Sequence, residues 1–233
     1  MKLRRYIVVL ALVAAGLLAA ACGGASSPAA PTSPKPTANP DTAAKIVPAM
    51  QAAVASASSV HIAGTVLDGS QHATIDMSFV GGDVSGTLSE GSQSYTLLVV
   101  SGKAYFKVDQ AFLQSANLPA SDCSSMCGKY VAVPGAQLSQ LTGSLSMSSI
   151  TQQFVKSLPS SVSHDTADLF VPATLNGQPV LQFTQSPYTI DVAATGAPYL
   201  LYAADASQGT LTFSQWNSVP PLTPPPAGDV ITL

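Results

Sequence analysis

The side chains here with nucleophilic, redox or metal-binding chemistry are three cysteines, three histidines and many serines. Cys123 and Cys127 are spaced C-x-x-x-C in Cys123-Ser-Ser-Met-Cys127. Two thiols this close pair in an oxidising compartment. So short a loop gains only about 2 kcal/mol from the cross-link, enough to pin a loop but not to staple a domain. A redox pair is the alternative, but thioredoxin-like chemistry uses C-x-x-C at a helix N-terminus, which favours a structural bond. His61, His72 and His164 do not assemble a metal site. If Asp68 to Gln71 form a hairpin loop, Leu67 faces His72 and His61 lies far down the strand, so zinc is not expected and surface histidines are the plain reading. Neither G-x-S-x-G nor H-E-x-x-H occurs. Gly81-Gly82 lacks a strand-loop-helix context and a following Lys-Ser/Thr, so it is no phosphate loop. The only glutamate, Glu90, falls in a predicted turn, and no carboxylate pair suited to glycoside hydrolysis is visible. These residues predict no enzyme, no cofactor and no metal.

The third thiol has a different setting. Met1-Lys2-Leu3-Arg4-Arg5 is basic, Tyr6 to Ala21 is an uncharged apolar stretch of 16 residues, and Ala19-Ala20-Ala21 precede Cys22-Gly23. A basic start, an apolar stretch and small residues before a cut describe a secretory signal. The stretch falls short of the roughly 20 residues a spanning helix needs. The end of this segment resembles a bacterial lipobox, with Ala19 where leucine is commoner. The resemblance implies diacylglycerol on the Cys22 thiol after removal of residues 1–21, with ordinary secretion as the alternative. Residues 22–44 follow, and Gly23 to Pro40 is almost wholly Gly, Ala, Ser, Pro and Thr. Such a segment cannot bury enough apolar surface to fold, and it reads as a disordered tether for a domain at 45–233. The expected location is the extracytoplasmic face of the cell membrane, lipid-anchored.

Composition narrows the partners. Removing residues 1–21 takes Lys2, Arg4 and Arg5, leaving 9 − 3 = 6 basic residues against 12 acidic ones, a mature net charge of −6 with no arginine. That argues against nucleic acid and against electrostatic adhesion to anionic lipid. Charged residues are only 9% of the chain and mean hydropathy is +0.31, where a soluble protein has about 25% charged residues. Either the surface is neutral and polar, or the fold has more apolar interior than its own core requires.

Periodicity supplies the elements. Met50, Ala53, Val54 and Ala57 form a stripe at helical spacing, predicting a helix over Asp41–Ser59 that kinks or starts at Pro48. The period then drops to two. Val60, Ile62, Gly64 and Val66 alternate with His61, Ala63 and Thr65, and Ile75, Met77 and Phe79 alternate with Thr74, Asp76 and Ser78. Turn residues recur every ten positions or so, which describes an antiparallel meander through Val108. Asp109 is placed to cap a short helix with Phe112 and Leu113 inward. The cysteine loop and a brief strand follow, and Met147, Ile150, Phe154 and Leu158 mark another amphipathic helix. Asn176-Gly177 predicts a hairpin, and further strands lead to a Pro-rich stretch from Pro220 to Pro226 and a last strand at Val230 to Leu233. The fold class is α+β: a curved antiparallel half-barrel of about 8–11 strands packed on two or three helices.

A family resemblance appears at this point. Cys22 and its Pro/Ala/Ser tether, Ser58-Ser59-Val60-His61-Ile62 with the meander, Asp165–Asp168, Leu175-Asn176-Gly177-Gln178, Ala194-Thr195-Gly196 and Leu211-Thr212-Phe213-Ser214-Gln215-Trp216 resemble the mycobacterial LprG/LppX lipoproteins over roughly residues 45–226. The resemblance implies a LolA/LolB-like half-barrel closed by helices, with an apolar cavity between sheet and helices. It implies an acylated lipid, glycolipid or lipoglycan as ligand and leaves room for a membrane transporter as partner. The Cys123–Cys127 loop has no place in that pattern. Burying about a dozen methylenes is worth roughly 10 kcal/mol gross, with no ion pair or catalytic group required. The candidate lining is Ile62, Val66, Ile75, Met77, Phe79, Leu97 and Val99 on strands and Met147, Ile150 and Phe154 on the second helix. Plain core packing is the alternative for each, and an envelope interaction module with a filled core is the alternative for the whole.

Overall fold

The computed structural model describes residues 41–68, 71–91, 93–133, 147 and 170–231. The signal segment, Cys22, the Gly23–Pro40 tether, Ile150, Phe154 and His164 lie outside the described residues.

Helix α1 spans Asp41–Ser56 and runs through Pro48 instead of starting or stopping there. Pro48 is exposed, so the carbonyl freed by its missing N–H can be hydrated. The helix also begins inside the 22–44 span assigned to the tether. Ile46, Met50, Val54 and Ala57 are buried along one face. The chain then turns within two residues into β1 (Ser59–Asp68), so α1 lies back across the strands that follow.

Those strands form the predicted meander: β2 (Gln71–Val80), β3 (Asp83–Glu90), β4 (Gln93–Val100) and β5 (Lys103–Lys107). An excursion leaves the sheet after β5. It carries α2 (Gln110–Ser115), a 3-10 turn and the one-turn α3 (Cys123–Met126), and returns as β6 (Tyr130–Ala132). The carboxylate of Asp109 accepts a hydrogen bond from the Phe112 N–H at 2.7 Å, satisfying one of the free donors at the start of α2. The C-terminal strands are β7 (Val171–Leu175), β8 (Gln178–Gln185), β9 (Tyr188–Ala193), β10 (Leu200–Asp205), β11 (Gly209–Ser214) and β12 (Val230–Ile231). Asn176 and Gly177 both hold positive φ, at 49° and 80°, and this left-handed pair turns β7 into β8.

All twelve strands belong to one sheet, ordered β12-β6-β5-β4-β3-β2-β1-β11-β10-β9-β8-β7. The described residues hold twelve strands against the expected 8–11, and the short β6 and β12 fall where the brief strand after the cysteine loop and the last strand were expected. Two meanders meet where β1 pairs with β11, joining Ile62 to Phe213 and Gly64 to Leu211. Every pairing is antiparallel except β12 on β6.

A sheet this wide must curl, and inward-facing glycines let it do so. A Cβ on Gly64 would strike the Thr210 carbonyl oxygen and lie 2.9 Å from the Leu211 Cα. A Cβ on Gly86 would strike the Asp76 carbonyl oxygen and lie 2.6 Å from the Met77 Cα. Neighbouring backbone occupies the space where a side chain would stand, as at a sharp bend in a barrel wall.

Candidate functional site

The alternating pattern puts one set of side chains on the concave face. In register across seven strands lie Phe213, Ile62, Met77, Gly86, Leu97, Phe106 and Val131. Beside that row run Val60, Phe79, Val84, Val99 and Ala104. Ile62, Val66, Ile75, Met77, Phe79, Leu97, Val99 and Met147 all join one apolar cluster, each between 1% and 8% exposed. The cluster continues across β11, β10, β9 and β8 through Phe213, Leu200, Ile190, Val192 and Phe183. Among the described residues, α1 and Met147 supply the layer facing it.

The excursion between β5 and β6 walls the β4–β6 side. Val108, Phe112, Leu113 and Val131 form a second cluster, with Leu118, Met126 and both cysteines packed against it. Phe106 touches both clusters, and its ring lies 6.4 Å from that of Phe112. Cys123 and Cys127 are joined as a disulfide, with Cα atoms 4.6 Å apart. The bond closes α3 on itself, so its effect is local to this wall.

The end of the half-barrel where α1 enters β1 is held by an arrangement the periodicity did not signal. The Trp216 ring stacks on Tyr199 at 4.9 Å and lies 6.3 Å from Phe213. Its Nε1 donates to the Leu200 carbonyl at 2.7 Å. Asn217 accepts from the Ser58 N–H at 2.6 Å and donates through Nδ2 to the Tyr199 hydroxyl at 2.6 Å. These contacts pin the start of the first meander to the end of the second. The aromatic-polar run from Phe213 to Asn217 was the available signal.

The convex face is chemically different. Thr210, Thr65, Thr74, Ser89 and Ser94 stand in register across five strands. His61 bridges neighbouring strands there: Nε2 lies 2.9 Å from an Asp76 carboxylate oxygen and Nδ1 lies 3.1 Å from the Ser214 hydroxyl. The Asp76 side chain is 64% exposed, and the trio sits on open sheet with no enclosing wall among the described residues. Its plain role is a cross-strand polar contact. His72 pairs with Leu67 at the far end of the same hairpin, away from His61. Among the described residues no group of three His, Cys, Asp or Glu side chains converges on a metal position.

Two carboxylates, Asp191 and Asp205, depart from this exposed pattern. Asp191 on β9 is only 2% exposed and accepts a hydrogen bond from Gln182 Nε2 at 2.8 Å. Burial pushes its pKa up, and the Gln182 contact offsets part of that rise.

LprF from Mycobacterium bovis superposes with a TM-score of 0.52 at 16% identity, covering 81% of this chain and 97% of that one. The fold is that of LprF. Lipoprotein LppX from Mycobacterium tuberculosis matches at a TM-score of 0.47 and 14% identity, covering 79% of this chain and 99% of its own. No family model and no curated protein matches the sequence. At 16% identity the likeness to LprF establishes the fold, an α+β half-barrel with a curved sheet and few helices. Among the described residues no helix is long and apolar enough to cross a membrane.

Proposed function

We propose that this protein is a lipid-anchored envelope protein, held to the extracytoplasmic face through Cys22, that binds or carries an acylated lipid between its concave sheet and its helices. The observation carrying the reading is the extent of the apolar concave face. It is continuous across nine neighbouring strands, from β5 to β8 in spatial order. At about 4.8 Å per strand those nine span roughly 40 Å of arc. Acyl chains are suited to such a face because apolar burial needs no directional partner.

Ile62, Val66, Ile75, Met77, Phe79, Leu97 and Val99 then line the compartment from the sheet, with Met147, Ile150 and Phe154 opposite them. The reading needs no catalytic group, and a membrane transporter is a suitable partner for loading or unloading. Residues 1–21 serve as the signal, 22–40 as the tether, and the remainder as the binding domain.

Mass spectrometry of organic extracts from the purified, unlipidated domain tests this. Recovery of about one acyl lipid per chain is the expected result. A chain that yields no lipid and takes up no fluorescent fatty acid would be a filled-core interaction module instead. The anchor is tested separately: Cys22→Ser should move the protein from the membrane fraction to the soluble one.

A further inference from the structure

The Pro-rich segment after β11 is left unused by the proposed lipid compartment. From Ser214 to Val230 the chain must pass from the middle of the sheet to its β12 edge, seven strand positions away. That is roughly 34 Å at 4.8 Å per strand. The fifteen intervening residues (215–229) would reach only about 22 Å as an α-helix, so the crossing has to be extended. Prolines suit such a path because their φ is already restricted to extended values.

The segment docks with a period of three. Val219 is buried, and Leu222 and Pro225 are half-buried. Pro220, Pro221, Thr223, Pro224 and Pro226 are exposed. Three residues per turn is the repeat of the polyproline II helix, and Pro226 has φ −53° and ψ 142°, close to that conformation. One ridge of the helix therefore faces the sheet and two face solvent. Leu222 packs against the Leu98, Val100 and Tyr105 cluster on the convex face, as do Tyr130 and Val230. Both ends are tied down: the Val219 N–H donates to Ser59 Oγ at 3.1 Å, and β12 pairs with Tyr130 and Val131.

We propose that this strap is a docking surface for a protein partner with an aromatic-lined groove that recognises polyproline II. Pro221-x-x-Pro224 has the spacing such grooves read, and polyproline II makes no internal hydrogen bonds, so its carbonyls stay available to indole or phenol donors. The sheet has already ordered the segment, which removes the entropy cost a free proline-rich peptide would meet on binding. No residue from Val219 to Gly228 is charged, so the groove is neutral and reads proline shape and carbonyls, not a flanking basic residue. The assignment does not depend on what the concave face holds.

The test places a photo-crosslinking phenylalanine at Thr223 in the full-length, membrane-anchored protein and irradiates cells that express it. The expected result is one protein adduct whose cross-link maps among Trp or Tyr residues of the partner. The purified partner should then bind about tenfold more weakly to a Pro221→Ser/Pro224→Ser chain of unchanged melting temperature. If that pair perturbs folding, Thr223→Arg blocks the groove while keeping every proline, and the same weakening is expected. Absence of an adduct overturns the proposal. So does an adduct with lipid or a second copy of this chain, a cross-link mapped away from aromatic residues, or binding unaffected by these substitutions.

Discussion

The two faces of this sheet are built from the same strands, yet they solve different problems. The concave face stacks Phe213, Ile62, Met77, Leu97 and Phe106 across the strands, and its apolar surface is continuous. The convex face carries hydroxyl rows, and an apolar patch of Leu98, Val100 and Tyr105 there lies beneath Leu222. Hydroxyls can keep a sheet face wet without charge. Among the described residues the buried apolar side chains gather on the concave side, in the wall built by α2 and in the patch beneath the strap. Opposite faces of one strand should accordingly respond to substitution very differently.

Bending sites should show the largest effect. Gly64→Val drives a branched side chain into the backbone of β11, and a loss of more than about 3 kcal/mol or outright failure to fold is expected. Denaturant titration, or soluble yield where no titration is possible, reads the outcome. Next comes the concave face itself: Phe79→Ala, at a residue only 1% exposed, should cost about 3–5 kcal/mol. Thr87→Ala, one strand away on the convex face, should fall within about 0.5 kcal/mol of the parent chain. Equal losses at Phe79 and Thr87 would erase the distinction between the faces.

Asp191 gives a subtler probe, because it is a buried carboxylate outside the apolar cluster. Its folded-state pKa lies above its unfolded value. The folded chain therefore holds more protons than the unfolded chain between those two values, and stability falls as pH rises through that window. Asp191→Asn should remove this part of the pH dependence and leave the variant at least as stable as the parent above the window. Melting temperatures across the acid range would show it, and an unchanged pH profile would contradict it. The smallest effect belongs to the exposed trio: Asp76→Asn should shift stability by no more than about 0.5 kcal/mol, less in high salt.

Much of the fold was legible in the residue pattern. The alternation of Val60, Ile62 and Val66, the Asn176-Gly177 turn and the Asp109 cap are local signals, and each reports a local preference of the backbone. Pro48 left two alternatives, a kink or a start, and the helix begins seven residues before it, because a breaker on an exposed face costs a helix one hydrogen bond without ending it. The inward placement of Ile62 through Val99 also followed from period two. The Asn217–Ser58 tie and the His61–Ser214 contact did not, since they join residues brought together only when β1 meets β11.

Taken alone, the residue order determined where strands and turns fall and which side chains share a face. It could not determine that β1 and β11 are neighbours, that the sheet bends at Gly64 and Gly86, or that a proline strap crosses the convex side to pair with β6. Side-chain alternation is a property of each strand, carried by backbone geometry within a few residues. The β1–β11 junction, the bend at Gly64 and the docking of the strap depend on contacts between residues more than a hundred positions apart, and those exist only once the chain has closed on itself.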